Sequence, residues 1–389
     1  MTAFTYDPSA ALPGPPDPWA STSAPSPTDG PPYHMTHMIE AEPALAIRII
    51  ERHASISSPA ADLSRAIRKA VIANEPVLVT GCGTSEHAAL GIVEILAEAV
   101  RAAGLKGRSG APVRLPVGAQ AFELALDPPS SGLVIGVSHE GATTATNAAL
   151  DAARAAGAAT AIITVSDRSP GAERVDIVVE TGELDQSWCH TVGYLSPLAA
   201  ATAMGAHLAK RPVDAALMSA VGDLLQAGLD RGSIAQTAAD RRAGREFTLK
   251  IEEGTWIPAA YRDLETFLHG HLAATAPENG LVLILADRDR RPERLARAAG
   301  ALRAARVIGM EAAAIVAADA AADLPTDLTP AGRIVLPEAP DLPAPVAALL
   351  GTAIPLQLLT ERTARVRGVD PDPIHRDDDR YRDAADAAD

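Results

Sequence analysis

One local pattern recurs along this chain and limits its fold more than any other feature. A short run of β-branched residues ends in a turn of small polar residues, and an Ala-rich helical stretch follows. The first copy runs from Val77–Thr80 into residues 81–85 (Gly-Cys-Gly-Thr-Ser), and the second from residues 133–137 into residues 138–144 (Ser-His-Glu-Gly-Ala-Thr-Thr). Strands that alternate with helices at this spacing predict a parallel, doubly wound α/β sheet.

The pattern returns in the second half of the chain, so we expect two Rossmann-like lobes packed together. Further predicted elements are strands at residues 161–165, 176–180, 281–285, 313–316 and 333–336, and helices within 198–250, 291–304 and 344–366. The predicted domains are a disordered Pro-rich tail (1–35), a first lobe (36–210), a helical linker with a second lobe (211–368) and an acidic C-terminal tail (369–389).

The first 33 residues differ in composition from the rest. They contain nine prolines, and Leu12 is their one larger aliphatic residue. Such a segment buries too little apolar surface to offset its conformational entropy, so disorder is predicted. Alternatively, translation starts at Met35 or Met38, and the sequence does not separate these two possibilities.

Composition excludes several classes of protein. The formal net charge is -15, with 49 acidic residues against 34 basic ones, which argues against a nucleic-acid binder. No run of about 18 uninterrupted apolar residues occurs, so no membrane segment is expected. Cys82 and Cys189 are too few for a disulfide framework and lack zinc spacing, so we expect a cytoplasmic protein without a metal or cofactor.

The two Gly/Ser/Thr turns are the candidate ligand-binding loops. A strand that ends in such a turn at a helix start presents free backbone N–H groups and the positive end of the helix dipole to an anion. The alternative is a pair of ordinary capped connections. Neither GxGxxG nor GxxxxGK[ST] occurs, so dinucleotide and nucleoside-triphosphate sites are not predicted. The predicted ligand-binding residues here are Gly83, Thr84, Ser85, Ser138, His139, Glu140, Gly141 and Thr143.

A second group of polar residues lies at 249–256 (Leu-Lys-Ile-Glu-Glu-Gly-Thr-Trp) and continues to His269. A carboxylate can act as a general base, and a histidine can shuttle a hydroxyl proton. Lys250 and Glu253 share a face of the predicted helix. Spacing alone leaves two possibilities, a catalytic pair or a surface ion pair worth a few tenths of a kcal/mol.

Both groups of residues resemble the sugar isomerase (SIS) domain family. Residues 38–378 resemble the two-lobed isomerase half of glucosamine–fructose-6-phosphate aminotransferases, including residues 355–359 and 367–372 near the C-terminus. The resemblance implies that Glu253 is the enediol base, that Lys250 is a cation beside the ligand, and that His269 opens the sugar ring. It further implies a homodimer in which the histidine comes from the other subunit.

The second loop departs from the family pattern Ser-Gln-Ser-Gly-Glu-Thr. Ser138, Gly141 and Thr143 match it, whereas Glu140 stands where the family has Ser. A carboxylate beside a phosphate dianion is unfavourable. Either Glu140 points away from the phosphate, or the ligand lacks a phosphate there and Glu140 contacts a hydroxyl or an amine.

The C-terminal part also departs from the aminotransferase. No lysine follows Lys250, so the Schiff-base lysine of that family has no counterpart. No glutaminase half is recognised, and we therefore expect no glutamine-dependent step. Residues 183–191 are predicted to be either a specificity loop or an ordinary capped loop.

With these departures, the resemblance implies an isomerase or deaminase that moves a proton between C1 and C2 of a hexose or hexosamine 6-phosphate. The expected partners are a phosphorylated sugar or amino sugar and a second copy of the chain with shared active sites, not nucleic acid or a membrane. Two alternatives are a non-catalytic SIS sensor of carbohydrate derivatives and a deglycase of glycated amino-acid phosphates. Sensors of this family usually have one lobe and a DNA-binding domain, which the sequence does not suggest.

Overall fold

The computed structural model describes residues 6–108, 110–230, 240–288 and 290–387, and of residues 240–243 only the backbone. The chain forms two compact units. Unit 1 comprises Met1–Ser26 and His37–Gly222, and unit 2 comprises Pro27–Thr36 and Asp223–Asp389. The chain passes from unit 1 to unit 2 inside helix α7 (Ala215–Asp230). The domain boundaries expected at residues 35, 210 and 368 stay predictions.

Unit 1 contains, within the described residues, a five-stranded parallel sheet in the order β2-β1-β3-β4-β5. Its strands are β1 (Val77–Thr80), β2 (Val117–Gly118), β3 (Leu133–Val137), β4 (Ala159–Thr164) and β5 (Ile177–Glu180). Its helices are α1 (His34–Arg52, which begins in unit 2), α2 (Pro59–Ala73), α3 (Thr84–Ala102), α4 (Ala121–Leu126), α5 (Thr144–Ala156) and α6 (Val192–Ala209).

The central strand β3 is buried along its whole length, as expected for a parallel strand covered on both faces. On one face, Leu150 and Ala153 of α5 pack on Val134 and Ile162. Because side chains alternate along a strand, Leu133, Ile135 and Val137 of β3 face the side of the sheet opposite to Val134. The small Ala and Gly residues of α6 allow this helix to pack closely on α3. A Cβ atom added at Gly205 of α6 would lie only 3.0 Å from the Ile95 side chain of α3.

The strand order of unit 1 places a topological switch point between β1 and β3. The chain leaves β1 through α3 toward β2 on one side, and leaves β3 through α5 toward β4 on the other. In open α/β sheets the crevice for a ligand lies at the carboxyl ends of the strands at this point. Both predicted loops, residues 81–85 and 138–144, are located there.

Unit 2 contains, in its described part, a three-stranded parallel sheet in the order β6-β7-β8. The strands are β6 (Gly280–Leu285), β7 (Glu311–Ala317) and β8 (Gly332–Leu336). The helices are α8 (Asp240–Thr255), α9 (Leu264–Leu268), α10 (Arg291–Ile308), α11 (Ala318–Asp323), α12 (Ala344–Arg367) and α13 (Asp379–Asp386). Its core is formed by Leu283 and Leu285 of β6, Val316 of β7 and Leu302 of α10, and α12 packs on α8.

Helix α12 is, among the described residues, the one helix long and apolar enough to be a candidate membrane span. However, 78% of its most apolar window is buried inside the protein. The core helices of soluble proteins can be as long and as apolar as a membrane-spanning helix, so α12 is only weak evidence for a membrane span.

The predicted fold class, α/β with doubly wound parallel sheets, is confirmed, and every predicted strand is present. Among the labelled strands and helices, five were not predicted: β2, α4, α9, α11 and α13, the last of which lies in the acidic tail. The first Gly/Ser/Thr turn is also shorter than predicted, because α3 already begins at Thr84. Gly83 is the N-cap residue of α3 and has φ +55°, which favours glycine.

Candidate functional site

The two loops at the switch point present helix N-termini. Gly83 and Thr143 are the N-cap residues of α3 and α5. The Thr143 hydroxyl lies 3.1 Å from the Ser138 hydroxyl and does not cap its helix. The Gly141 N–H also donates to Ser138 Oγ at 3.1 Å. Since the first N–H groups of a helix have no intrahelical acceptor, this arrangement can hold an anion with N–H and hydroxyl donors.

Gly81 allows the two loops to approach each other closely. A Cβ atom at this position would lie 2.6 Å from the Ser85 carbonyl oxygen and 2.9 Å from that of Val137. Both are backbone atoms, which cannot move aside as a flexible side chain can. Position 81 therefore requires glycine because backbone segments pack closely there. The sequence alone does not distinguish this role of Gly81 from close approach of the backbone to a ligand.

Replacing Gly81 by Ala is expected to lower the free energy of unfolding by about 1–3 kcal/mol, because the added methyl group overpacks the crossing of the loops. Chemical unfolding followed by circular dichroism measures this change. Gly107→Ala is the control in the same unit, since its Cβ atom would meet its nearest neighbour at an ordinary 3.5 Å. Equal effects of the two substitutions would contradict the assignment.

His139, predicted to bind the ligand, contacts the loop after β5. Its side chain is buried, and its Nε2 accepts a hydrogen bond from the Asp185 N–H at 2.9 Å. Burial lowers the pKa of His139 to about 4, with a smaller contribution from His190, so the imidazole is neutral near pH 7. The ring joins two loops, residues 138–143 and 183–191, at the carboxyl edge of the sheet.

Asp185 organises the loop of residues 183–191, and it was not among the site residues predicted from the sequence. Its carboxylate is buried and accepts the N–H groups of Ser187 at 3.0 Å and of Thr191 and Gly193 at 2.9 Å. His190 Nδ1 lies 3.5 Å away. Burial raises the pKa of Asp185, but the His190 contact and the Gly193 N–H outweigh it and lower the pKa overall.

Glu140 is half-buried and contacts the N-terminal segment. Its Oε1 accepts a hydrogen bond from the Thr22 N–H at 2.9 Å. The carboxylate is thus engaged by a backbone donor, and this bond joins residues 118 positions apart in the chain. The Pro-rich composition of the N-terminal residues does not predict this hydrogen bond between Thr22 and Glu140.

In unit 2, Lys250 and Glu253 form a close ion pair on α8. Lys250 Nζ lies 2.6 Å from Glu253 Oε2 and 3.7 Å from Glu246 Oε1. The side chains of Lys250 and Glu246 are 0% exposed, whereas that of Glu253 is 25% exposed. The pair is therefore not a surface ion pair. Glu246, the buried second partner of Lys250, was not identified from the sequence.

His269 lies at the end of α9 with its side chain 72% exposed. Its Nε2 is 3.0 Å from an Arg297 nitrogen and 3.3 Å from Glu265 Oε2. These contacts are to Glu265 and Arg297 and not to Glu253, the other predicted catalytic residue. Glu265 is exposed and forms an ion pair with Arg297, and the hydrogen bond from Arg297 lowers the pKa of Glu265.

The acidic C-terminal tail packs on Trp256, the residue that follows α8. The His375 ring stacks on Trp256 at 3.8 Å between ring centroids, and Tyr381 stacks on the other side of His375 at 3.8 Å. Asp370 and Asp372 hold residues 28–36, since Asp372 accepts the Met35 N–H at 2.8 Å. The tail therefore has defined contacts within unit 2.

Comparisons with solved structures show the fold. The C-terminal domain of glucosamine-fructose-6-phosphate aminotransferase from Francisella tularensis is 16% identical, with a TM-score of 0.73 over 89% of this chain and 99% of that one. Tagatose-6-phosphate ketose/aldose isomerase from Escherichia coli is 17% identical, with a TM-score of 0.69 over 90% and 97%. Glucosamine-6-phosphate deaminase from Thermotoga maritima is 17% identical, with a TM-score of 0.58 over 87% and 96%.

No protein-family model matches the chain, and no curated protein matches it in sequence. The alignments with these solved structures cover most of this chain and nearly all of each matched chain. The fold that the sequence resemblance implied, that of the C-terminal domain of a glucosamine-fructose-6-phosphate aminotransferase, is confirmed.

Proposed function

We propose that the protein is a sugar-phosphate isomerase or amino-sugar-phosphate deaminase that moves a proton between C1 and C2 of a hexose or hexosamine 6-phosphate. The observation that carries the proposal is the convergence of two Gly/Ser/Thr loops at the switch point of unit 1. The named activities of proteins with the same fold support it, since they include a ketose/aldose isomerase and a deaminase of sugar 6-phosphates.

In this proposal the phosphate is held by N–H and hydroxyl groups of Gly83, Thr84, Ser85, Ser138 and Thr143. Glu253 takes the hydrogen at C2 as a proton, and the electron pair of that bond forms the C1=C2 bond of an enediolate. The proton returns to C1 and leaves a ketone at C2. If C2 bears an amine, the same step gives an imine, which water hydrolyses to the ketone and ammonia.

Lys250 and His269 have supporting roles in the proposal. The Lys250 ammonium holds the Glu253 carboxylate at 2.6 Å and provides a positive charge for the oxyanion that forms. His269 opens the sugar ring by moving a hydroxyl proton. It acts in the site of a partner subunit, in keeping with its high exposure, and the active unit is then a cytoplasmic homodimer.

A panel of ligands tests the substrate class. Fructose, glucosamine, galactosamine and tagatose 6-phosphates are compared with the same sugars without phosphate by thermal unfolding. A ligand at 100 times its Kd stabilises the protein by about 2.7 kcal/mol. Stabilisation by a 6-phosphate alone supports the proposal, and stabilisation by unphosphorylated sugars alone would overturn it.

Glu140→Gln is expected to tighten binding of a 6-phosphate about tenfold, because it removes a like charge near the phosphate and keeps an oxygen that can accept the Thr22 N–H. Calorimetric titration measures the change. The control Glu173→Gln removes the same charge from an exposed position of unit 1. Weaker binding by Glu140→Gln would indicate instead that Glu140 contacts an amine or hydroxyl of the ligand.

Mixing two inactive variants tests whether subunits share sites. His269→Ala and Glu253→Gln subunits, allowed to exchange at equal concentration, are expected to recover about one quarter of wild-type activity, since half of the dimers are mixed and each has one intact site. Absence of recovery after verified subunit exchange contradicts the shared arrangement.

A further inference from the structure

The N-terminal segment of residues 12–22 begins its path at the end of strand β5. The Leu12 N–H donates to Glu183 Oε2 at 2.9 Å, and the Leu184 N–H donates to the Pro13 carbonyl oxygen at 2.9 Å. Leu12 is buried, and Glu183 also forms an ion pair with Arg48 at 2.6 Å. These backbone and ionic contacts fix the start of the segment on unit 1.

The segment then passes the ends of two more strands. Asp17 forms an ion pair with Arg168, in the loop after β4, at 2.8 Å. The Thr22 N–H donates to Glu140, in the loop after β3, at 2.9 Å. Strands β5, β4 and β3 are neighbours in the sheet, so residues 12–22 cross the carboxyl edge of the sheet in that order. This is the edge where a doubly wound sheet binds its ligand.

Thr22 is placed at the second ligand loop with an unused donor. Its hydroxyl oxygen is buried and, within the described residues, has no hydrogen-bond partner. A buried hydroxyl without a partner is energetically unfavourable, so such a group requires an explanation. A ligand group bound at residues 138–143 would supply the missing acceptor.

We propose that residues 12–22 form part of the ligand site of unit 1, and that Thr22 donates its hydroxyl hydrogen to the anionic group held by residues 138–143. The Thr22 N–H keeps the Glu140 carboxylate bound to the segment, which lets the loop accept an anion despite this charge. The inference rests on the proposed function, because it takes a sugar phosphate as the ligand.

The test compares Thr22→Val with Thr22→Ser in the full chain. Valine keeps the shape and the N–H group but lacks the hydroxyl. We expect Thr22→Val to weaken binding of the stabilising 6-phosphate about tenfold, as for loss of a hydrogen bond to a charged group, while the unfolding temperature of the free protein stays the same or rises. Thr22→Ser restores the hydroxyl and is expected to bind like the wild type. Ser21→Ala, at an exposed neighbour, is the control.

Each outcome has a separate meaning. If the wild type binds a 6-phosphate and Thr22→Val binds it equally well, the role of Thr22 is wrong and the proposed function stands. Tighter binding by Thr22→Val would show that the segment competes with the ligand, which also overturns the inference. If the wild type binds no sugar phosphate at all, the proposed function fails and the inference fails with it.

Discussion

Replacing Glu253 by Gln is expected to abolish exchange of the C2 hydrogen of a bound sugar phosphate with solvent, with little change in ligand affinity. The amide retains the shape of the side chain but cannot accept the proton, and general base catalysis contributes about 10²–10⁴-fold to such a step. The rate of deuterium incorporation from D₂O, followed by nuclear magnetic resonance, measures the effect.

Glu252→Gln is the matched control for this experiment. Glu252 is the adjacent residue, and its Oε1 accepts the Ala259 N–H at 3.1 Å. The exchange rate of this variant is expected to remain near that of the wild type. Undiminished exchange in Glu253→Gln would remove Glu253 as the base, whereas loss of ligand binding in that variant would indicate a binding role instead.

Replacing Lys250 by Met is expected to lower the free energy of unfolding by about 3–5 kcal/mol. The side chain of Glu246 is 0% exposed. The substitution therefore leaves this buried carboxylate without the Lys250 cation. A buried charge that loses its partner is far more costly than an exposed one. Chemical unfolding monitored by circular dichroism measures the loss.

A double substitution separates this explanation from lost packing. Lys250→Met combined with Glu246→Gln is expected to recover much of the stability, because the buried charge that lost the Lys250 cation is removed as well. Lys69→Met, on the exposed face of α2, is the control and is expected to change stability by less than about 0.5 kcal/mol. If the double variant is no more stable than Lys250→Met alone, the buried ion pair is not the cause.

The sequence predicted the sheets well because parallel strands are continuous apolar runs, and those runs are local. It missed β2 and α4, since two and six residues are too short to show a period. It missed α13 because its residues are acidic and exposed, so no apolar face marks the helix.

The two Gly/Ser/Thr turns at the switch point and the contact between Lys250 and Glu253 were predictable from the sequence because their members are close neighbours in the chain. Residues 81–85 directly follow a strand, and Lys250 and Glu253 are three residues apart on one helix. Local spacing determines such relationships, since a helix or a strand has a fixed period.

Only the tertiary structure decided how these groups are paired and buried. It placed Lys250 in the interior beside Glu246, turned His139 toward the Asp185 N–H 46 residues away, and brought Thr22 to Glu140 across 118 residues. The physical reason is that a contact between distant segments depends on the path of the whole chain, which no local period records.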